Sequence, residues 1–334
     1  MSLSNNNQEF LPLPRSTNSD GDIRRAGFEL EYAGLDIEQS AQLVVNRFHG
    51  TIQRESRFAY TVAQTDFGDF HVEVDASLLK NKEYEQMLKS IGIELDVNSR
   101  ETLEDALLEL ASLAVPFEVV TPPIPTDRCD EVEALRADFH KHKAQGTQAS
   151  FLYGFGLHIN VEAASLEADW LRDMLRSYLL LRHAIAESSG IDLTRRISPY
   201  IDDFPEEYVR TVLSPDYAPS RRQLIADYLL SNPTRNRSLD MLPLFASIEA
   251  RLVMEHVDPE IAPLIKPRPA FHYRLPDCRI DDPQWRIAAD WNRWVEVERL
   301  ADDTPRLEKA CHEYVHNHRG FPEEWLEWAA RLFE

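Results

Sequence analysis

Five short segments of this chain alternate apolar residues with a narrow set of polar ones. They are Phe28-Glu29-Leu30-Glu31-Tyr32, Phe70-His71-Val72-Glu73-Val74-Asp75, Phe117-Glu118-Val119, Leu157-His158-Ile159-Asn160-Val161 and Phe271-His272-Tyr273-Arg274-Leu275. A period of two sends successive side chains to opposite faces of a strand, so each segment buries one face and presents the other. Glu29 and Glu31 then project from one face about 6.7 Å apart along the strand, with Phe28, Leu30 and Tyr32 on the other. One such strand is simply amphipathic with a solvated face. Ordinary wet faces use Thr, Lys, Ser and Gln freely, whereas these alternate positions hold only Glu, Asp, His, Asn and one Arg. Five strands sharing that alphabet point to one functional face.

The rest of the chain reads as helices interleaved with these strands. Residues 1 to about 22 are rich in Asn, Ser, Asp and Pro without periodicity, which marks a mobile tail. A strand from Arg25 to Ala33 precedes a helix from about Asp36 to Phe48, capped by Asp36 and stopped by Gly50. Alternating runs fill Thr51 to Asp75, helical stretches lie near Lys82–Ile91 and Arg100–Ala114, and a strand at Pro116–Thr121 ends at Pro122-Pro123. Helices at about 130–144 and 164–188 flank a strand from Phe155 to Val161, and the second half is mainly helical apart from Ala270–Leu275. No internal repeat or long linker divides the chain, so residues 23–334 read as a single α+β domain.

Charge and cysteine use exclude several function classes. Thirty-six Lys and Arg against 57 Asp and Glu give a net charge of −21, a field that repels nucleic acid and anionic membrane at long range. Cys129, Cys278 and Cys311 form no C-x-x-C pair, which argues against a disulfide framework or zinc ribbon. With no basic-then-apolar leader and no long apolar span, the expected location is the cytoplasm. P-loop, Rossmann and nucleophile-elbow signatures are absent.

If Glu29, Glu31 and Glu118 share a face, pairs about 7 Å apart repel by roughly 2 kcal/mol at an effective dielectric near 20. A positive group must sit among them. Hard oxygen ligands with an occasional imidazole suit Mg²⁺ or Mn²⁺, which in turn hold nucleotide phosphates.

The runs Gly27-Phe28-Glu29-Leu30-Glu31, Asp75-Ala76-Ser77-Leu78, Glu118-Val119-Val120-Thr121-Pro122-Pro123, Gly154-Phe155-Gly156-Leu157-His158-Ile159-Asn160 and Phe271-His272-Tyr273-Arg274-Leu275-Pro276 resemble, in order, the motifs of the amidoligases. These belong with the glutamine synthetase and glutamate–cysteine ligase folds. The resemblance spans residues 25 to about 280. It implies a six-stranded antiparallel, funnel-like sheet of the glutamine synthetase catalytic-domain type with flanking helices. ATP would enter one end, with two or three divalent cations between the strands. It also implies an activity: ATP phosphorylates a small-molecule or peptide carboxylate, and an amine or ammonia displaces phosphate to leave an amide.

Carried over by residue, the resemblance makes Glu29, Glu31, Glu118 and His158 metal ligands and Arg274 the arginine that steadies the transferring phosphoryl group. Asp75 is the candidate base or ammonium binder, and Asn160 the candidate for orienting substrate. Relatives usually have Glu-x-Arg where this chain has His272-Tyr273-Arg274, so one site loses an anionic ligand unless His272 coordinates instead. Arg235, Arg237 and Arg268 are further candidates for phosphate or substrate carboxylate. In-class and non-enzyme alternatives are a guanidino-kinase-like phosphotransferase and a non-catalytic peptide-binding member.

One rival motif stands near the C-terminus. His312-Glu313-Tyr314-Val315-His316 satisfies the zinc-peptidase pattern H-E-x-x-H, but Arg319 and Pro322 replace the Gly and His of its metzincin extension. A histidine-rich helix end in water is the simpler reading. His140 and His142 are likewise expected in water, and Trp285, Trp291, Trp294, Trp325 and Trp328 as core anchors.

Overall fold

The computed structural model describes residues 9–74, 117–147, 155–189 and 202–317. Asp75, the helical stretches near 82–91 and 100–114, Gly154, Trp325 and Trp328 lie outside these residues. The chain is α+β, as its pattern predicts. Its strands are β1 (Arg25–Tyr32), β2 (Thr51–Arg54), β3 (Ala59–Thr65), β4 (Gly68–Val74), β5 (Phe117–Val120), β6 (Ile124–Pro125), β7 (Leu157–Glu162), β8 (Leu239–Asp240) and β9 (Ala270–Tyr273). They form one open sheet in the order β2-β3-β4-β5-β1-β7-β9-β8, with β6 pairing the start of β1. Each of these strand pairs is antiparallel. Among the described residues the sheet has nine strands where the resemblance implies six; the additions include β6 and β8, two residues each, too short for any period to reveal.

Eight α-helices are present among the described residues: α1 (Ile37–Phe48), α2 (Asp130–Lys141), α3 (Ala168–Ser188), α4 (Glu206–Leu213), α5 (Arg221–Ser231), α6 (Leu242–His256), α7 (Ile287–Asp302) and α8 (Thr304–Asn317). Local chemistry sets the limits of α1. The Asp36 carboxylate accepts from the Gln39 amide at 2.7 Å, and Gln39 accepts in return from the Asp36 N–H at 3.3 Å, a reciprocal cap. The helix ends at His49, where Gly50 has φ +92° and a Cβ would lie 2.6 Å from the Ala63 carbonyl oxygen. Only glycine meets both demands.

Helices cover one face of the sheet with aromatic contacts. Trp291 of α7 lies 6.2 Å from Phe28, Trp294 lies 5.3 Å from Phe271 and 5.5 Å from Tyr273, Phe48 of α1 stacks on Phe70 at 4.9 Å, and Phe139 of α2 meets Tyr32 at 4.9 Å. The tryptophans at 285, 291 and 294 are buried, as expected of core anchors. A bidentate ion pair between Arg24 and Glu298, at 2.7 and 2.8 Å with both side chains fully buried, ties the start of β1 to α7, and Trp294 donates to the same carboxylate at 2.8 Å. That pairing is what lets two charges sit in an apolar layer.

Composition marks residues 1–22 as a mobile tail, yet residues 9–15 are docked on α7. Leu13 is buried, Trp291 donates to the Leu11 carbonyl, Asn292 bonds Leu11 and Glu9, and Arg15 pairs with Asp302. Phe10, Leu11 and Leu13 anchor the segment without any periodic pattern. Hydrophobic contact supplies the order that regular backbone bonding does not.

Candidate metal and phosphate site

The opposite face of the sheet gathers the polar halves of the alternating strands. The strand register pairs Glu29 with His158, Asn160 with His272, and His272 with Asp240. One step along, Glu31 pairs with Glu118, and Glu118 with Glu73. The common face expected from the sequence is therefore present, and it runs across β4, β5, β1, β7, β9 and β8.

Glu29 is the centre of the network. It accepts from His158 Nδ1 at 2.8 Å and from Asn160 Nδ2 at 2.8 Å, with Arg268 Nη2 at 3.7 Å and His272 Nε2 at 3.8 Å. Arg268 in turn donates to Asn160 Oδ1 at 2.7 Å. Burial is the largest influence on the Glu29 carboxyl and works against its charge, but His272, His158 and Arg268 together hold it well below the ordinary 4.5. Glu29 is a buried carboxylate kept ionised by its neighbours. Asn160, expected to orient substrate, is engaged here in orienting Glu29 and Arg268.

Glu31 reaches sideways to β7. Its Oε2 accepts the Gly156 N–H at 2.6 Å, and its Oε1 stands 3.6 Å from His158 Nε2. His158 is thus bracketed by both glutamates of β1. Glu118 reaches the same face beside Glu31, as expected, and Glu73, which the sequence shows only as part of a patterned strand, extends that row of carboxylates.

His272 is 2% exposed. Burial pushes its imidazole well below the ordinary 6.5, Arg268 and Arg274 act in the same direction, and Glu29 opposes them, so the ring is neutral. Its Nδ1 lies 3.3 Å from Arg268, 3.5 Å from Arg235 and 3.7 Å from Asp240. Its Nε2 is buried without a hydrogen-bond partner. Among the described residues Glu29, His158 and His272 form the group able to hold a metal, one ligand atom from each lying within 4.8 Å of the others. Arg268 and Arg235 can only donate to Nδ1, so the neutral ring carries its proton on Nε2, facing Glu29 Oε2 at 3.8 Å, and His272 would ligate a metal only in its other tautomer.

The arginines divide. Arg235 bonds Asp240 at 3.1 Å and the Leu264 carbonyl at 3.0 Å, and Arg274 donates to the Arg235 carbonyl while its charge acts on His272. Arg235, Arg268 and Arg274 therefore converge on one edge of the Glu29 network. Arg237, a candidate phosphate ligand from sequence, does not join them. It is buried against Phe204 and bonds Asn232 at 2.8 Å and the Asp203 carbonyl at 2.5 Å. Its role is to hold a loop, because its backbone is bridged to Asp202 and its side chain is spent on Asn232 and Asp203.

Asp240 escapes notice in the sequence. It sits in an apolar run, Leu239-Asp240-Met241-Leu242, fully buried, and accepts from Arg235 and from the Leu242 amide at 3.0 Å. A lone aspartate in such a run is the only signal available. The H-E-x-x-H segment lies on α8, where the exposed rings of His312 and His316 stack at 3.9 Å. Neither belongs to the metal-capable group. His140 is less solvated than expected and bonds the Ile280 carbonyl at 3.0 Å.

A family model described as "Putative amidoligase enzyme" matches residues 22–296. The chain belongs to that family. The match covers every strand from β1 through β9. No curated protein matches the chain. Among the described residues of this amidoligase-family chain, no helix is long and apolar enough to cross a membrane.

Proposed function

We propose that the chain is an ATP-dependent carboxylate–amine ligase working through an acyl phosphate on the polar sheet face. What carries the reading is the meeting, beside Glu29, of imidazole and carboxylate ligands with the guanidinium groups of Arg235, Arg268 and Arg274. Such a face can take up the negative charge of a nucleotide triphosphate in a protein whose overall charge repels it. In this reading ATP enters a funnel formed by the curvature of the sheet.

Glu29, Glu31, Glu118, His158 and His272 would hold divalent cations, Mg²⁺ or Mn²⁺, which when bound neutralise phosphate oxygens. Arg268 and Arg274 act as catalytic groups at the transferring phosphoryl group, with Arg235 beside them; their fixed positions stabilise charge where it develops. A substrate carboxylate oxygen forms a bond to the γ-phosphorus as the bond to the ADP oxygen breaks. The amine nitrogen then attacks the acyl carbon, and inorganic phosphate leaves with the carboxylate oxygen. Asp75 is the proposed acceptor of the amine proton, and Asn160 keeps Arg268 and Glu29 in register.

The test is ADP release across a panel of carboxylate and amine pairs, with hydroxylamine as a trap. The reading predicts that ADP formation needs both a carboxylate and a divalent cation, and that hydroxylamine yields a hydroxamate. ADP with a phosphorylated guanidine and no hydroxamate would establish phosphoryl transfer without ligation. Ligand-dependent peptide binding without any ADP would establish a non-catalytic member.

A further inference from the structure

We infer that Asp240 is a positioning residue for the phosphate edge, holding the Arg235 guanidinium where a nucleotide triphosphate would meet it. This role rests on the reading that the polar face takes ATP, and it names the buried anion that orients one of the arginines there.

Asp240 is itself held from several sides. Its backbone pairs with His272 across β8 and β9. The Tyr228 hydroxyl of α5 brackets it, donating to the Leu239 carbonyl at 3.4 Å and accepting the Met241 N–H at 3.2 Å. The carboxylate then divides its two oxygens. Oδ1 accepts the Leu242 N–H at 3.0 Å, at the start of α6, and Oδ2 accepts from Arg235 Nε at 3.1 Å. The first bond serves the helix and the second serves the arginine. The Asp240 side chain is fully buried and that of Arg235 is 25% exposed, so water competes little for this charge-assisted pair.

Arg235 carries two further restraints. Its Nη1 donates to the Leu264 carbonyl at 3.0 Å, and its Nη2 lies 3.5 Å from His272 Nδ1. Arg268 Nη2 reaches the same imidazole nitrogen at 3.3 Å. Two guanidinium groups drawn to one nitrogen repel each other. Burial is the largest influence disfavouring the charged form of Arg268; Glu29 opposes it, Arg235 adds to it, and Asp240 opposes it again. A fixed anion behind Arg235 therefore lets the cations gather on one edge and sets the direction of Nη2 in advance. A side chain ordered beforehand costs less entropy when a ligand arrives.

Asp240→Asn separates the two bonds. Asparagine keeps one acceptor, and the Leu242 N–H is fixed by the backbone, so the acceptor stays with α6 while the amide NH₂ confronts Arg235 Nε, donor against donor. The full-length wild type, Asp240→Asn, Arg235→Gln, the double variant and Arg235→Lys are titrated with Mg²⁺-ATP by calorimetry. Such titration needs no turnover, so its outcome is separate from whether hydroxylamine yields a hydroxamate. Asp240→Asn should weaken ATP at least about fivefold, as expected when a charge-assisted bond that orients a ligand group is lost. In the Arg235→Gln background the same substitution should change Kd by less than about twofold, because the group it orients is gone. Arg235→Lys keeps the charge but cannot bridge Asp240, Leu264 and His272 together, and should weaken ATP at least about threefold. Equal losses from Asp240→Asn on both backgrounds, or wild-type affinity in Asp240→Asn or in Arg235→Lys while Arg235→Gln weakens ATP, would overturn the role of Asp240 and leave the ATP site standing. Unchanged affinity in Arg235→Gln, or no ATP binding by the wild type, would overturn that role together with the phosphate edge.

Discussion

Glu29→Gln is the substitution for which the structure makes the most detailed demand. The wild-type carboxylate accepts two hydrogen bonds at 2.8 Å, from His158 and Asn160, and stands 3.7 Å from Arg268. Its side chain is 16% exposed, so little water can replace what is lost. Glutamine keeps one acceptor but turns a donor toward another donor, forfeiting at least one charge-assisted bond worth about 1.5–3 kcal/mol. Arg268 also loses its nearest anion, so we expect about 2–3 kcal/mol of destabilisation without metal. Unfolding entropy of about 2.1 cal/mol/K per residue gives about 0.7 kcal/mol/K over 334 residues, hence a Tm lower by about 3–4 °C in EDTA.

The same variant should lose the stabilisation that a divalent cation gives the wild type, which at 100 times Kd is about 2.7 kcal/mol. Its pH dependence has a definite sign. The folded-state acidity of Glu29 is held well below 4.5, so its stabilising contribution is fully present above that value. The contribution is lost as pH falls through the folded value, and the gap between wild type and variant should narrow below about pH 4.5. Calorimetric scans of both proteins in EDTA and in Mn²⁺, at neutral pH and near pH 4, measure all three effects. An unchanged or raised Tm for Glu29→Gln in EDTA would refute the claim that neighbours, rather than a cation, hold this carboxylate.

Other positions give shorter tests. Arg24→Met leaves Glu298 charged in an apolar layer and should cost about 3–5 kcal/mol, with part recovered in the double variant carrying Glu298→Leu, both read by chemical denaturation. Arg237→Gln should lower Tm without altering the ATP KM, because Arg237 serves a loop, whereas Arg235→Gln should raise that KM. Equal KM effects would mean that the arginines have been divided wrongly. Alanine at His312 and His316 should leave ADP formation at its wild-type rate; loss of turnover would revive the H-E-x-x-H segment as a functional site.

What the sequence reveals and what it hides follow from the range of the interactions involved. Strands β1, β5, β7 and β9 and their shared polar face are legible because apolar and polar side chains alternate with a period of two over three or more residues. Helix α1 is legible because Asp36 and Gly50 act on their own neighbours. Asp240 and the short strand β8 depend on contacts made across the sheet, to His272 and to Arg235, and leave no local period. Arg237 misleads for the same reason: two residues from Arg235, it shares a strand-like spacing, yet its segment turns to meet Asp203 and Asn232. The docking of residues 9–15 rests on Phe10, Leu11 and Leu13 at the core and on polar bonds to α7, a pattern that composition averages away.

The central claim is that the chain activates a carboxylate by phosphorylation. For a carboxylate–amine pair that supports ADP release, the carboxylate is supplied with both oxygens as ¹⁸O, and the inorganic phosphate formed is analysed by mass spectrometry. An acyl phosphate predicts one ¹⁸O in each phosphate released, because the oxygen that attacked phosphorus departs with it. Phosphate free of ¹⁸O, formed at the same rate as ADP, would contradict the claim.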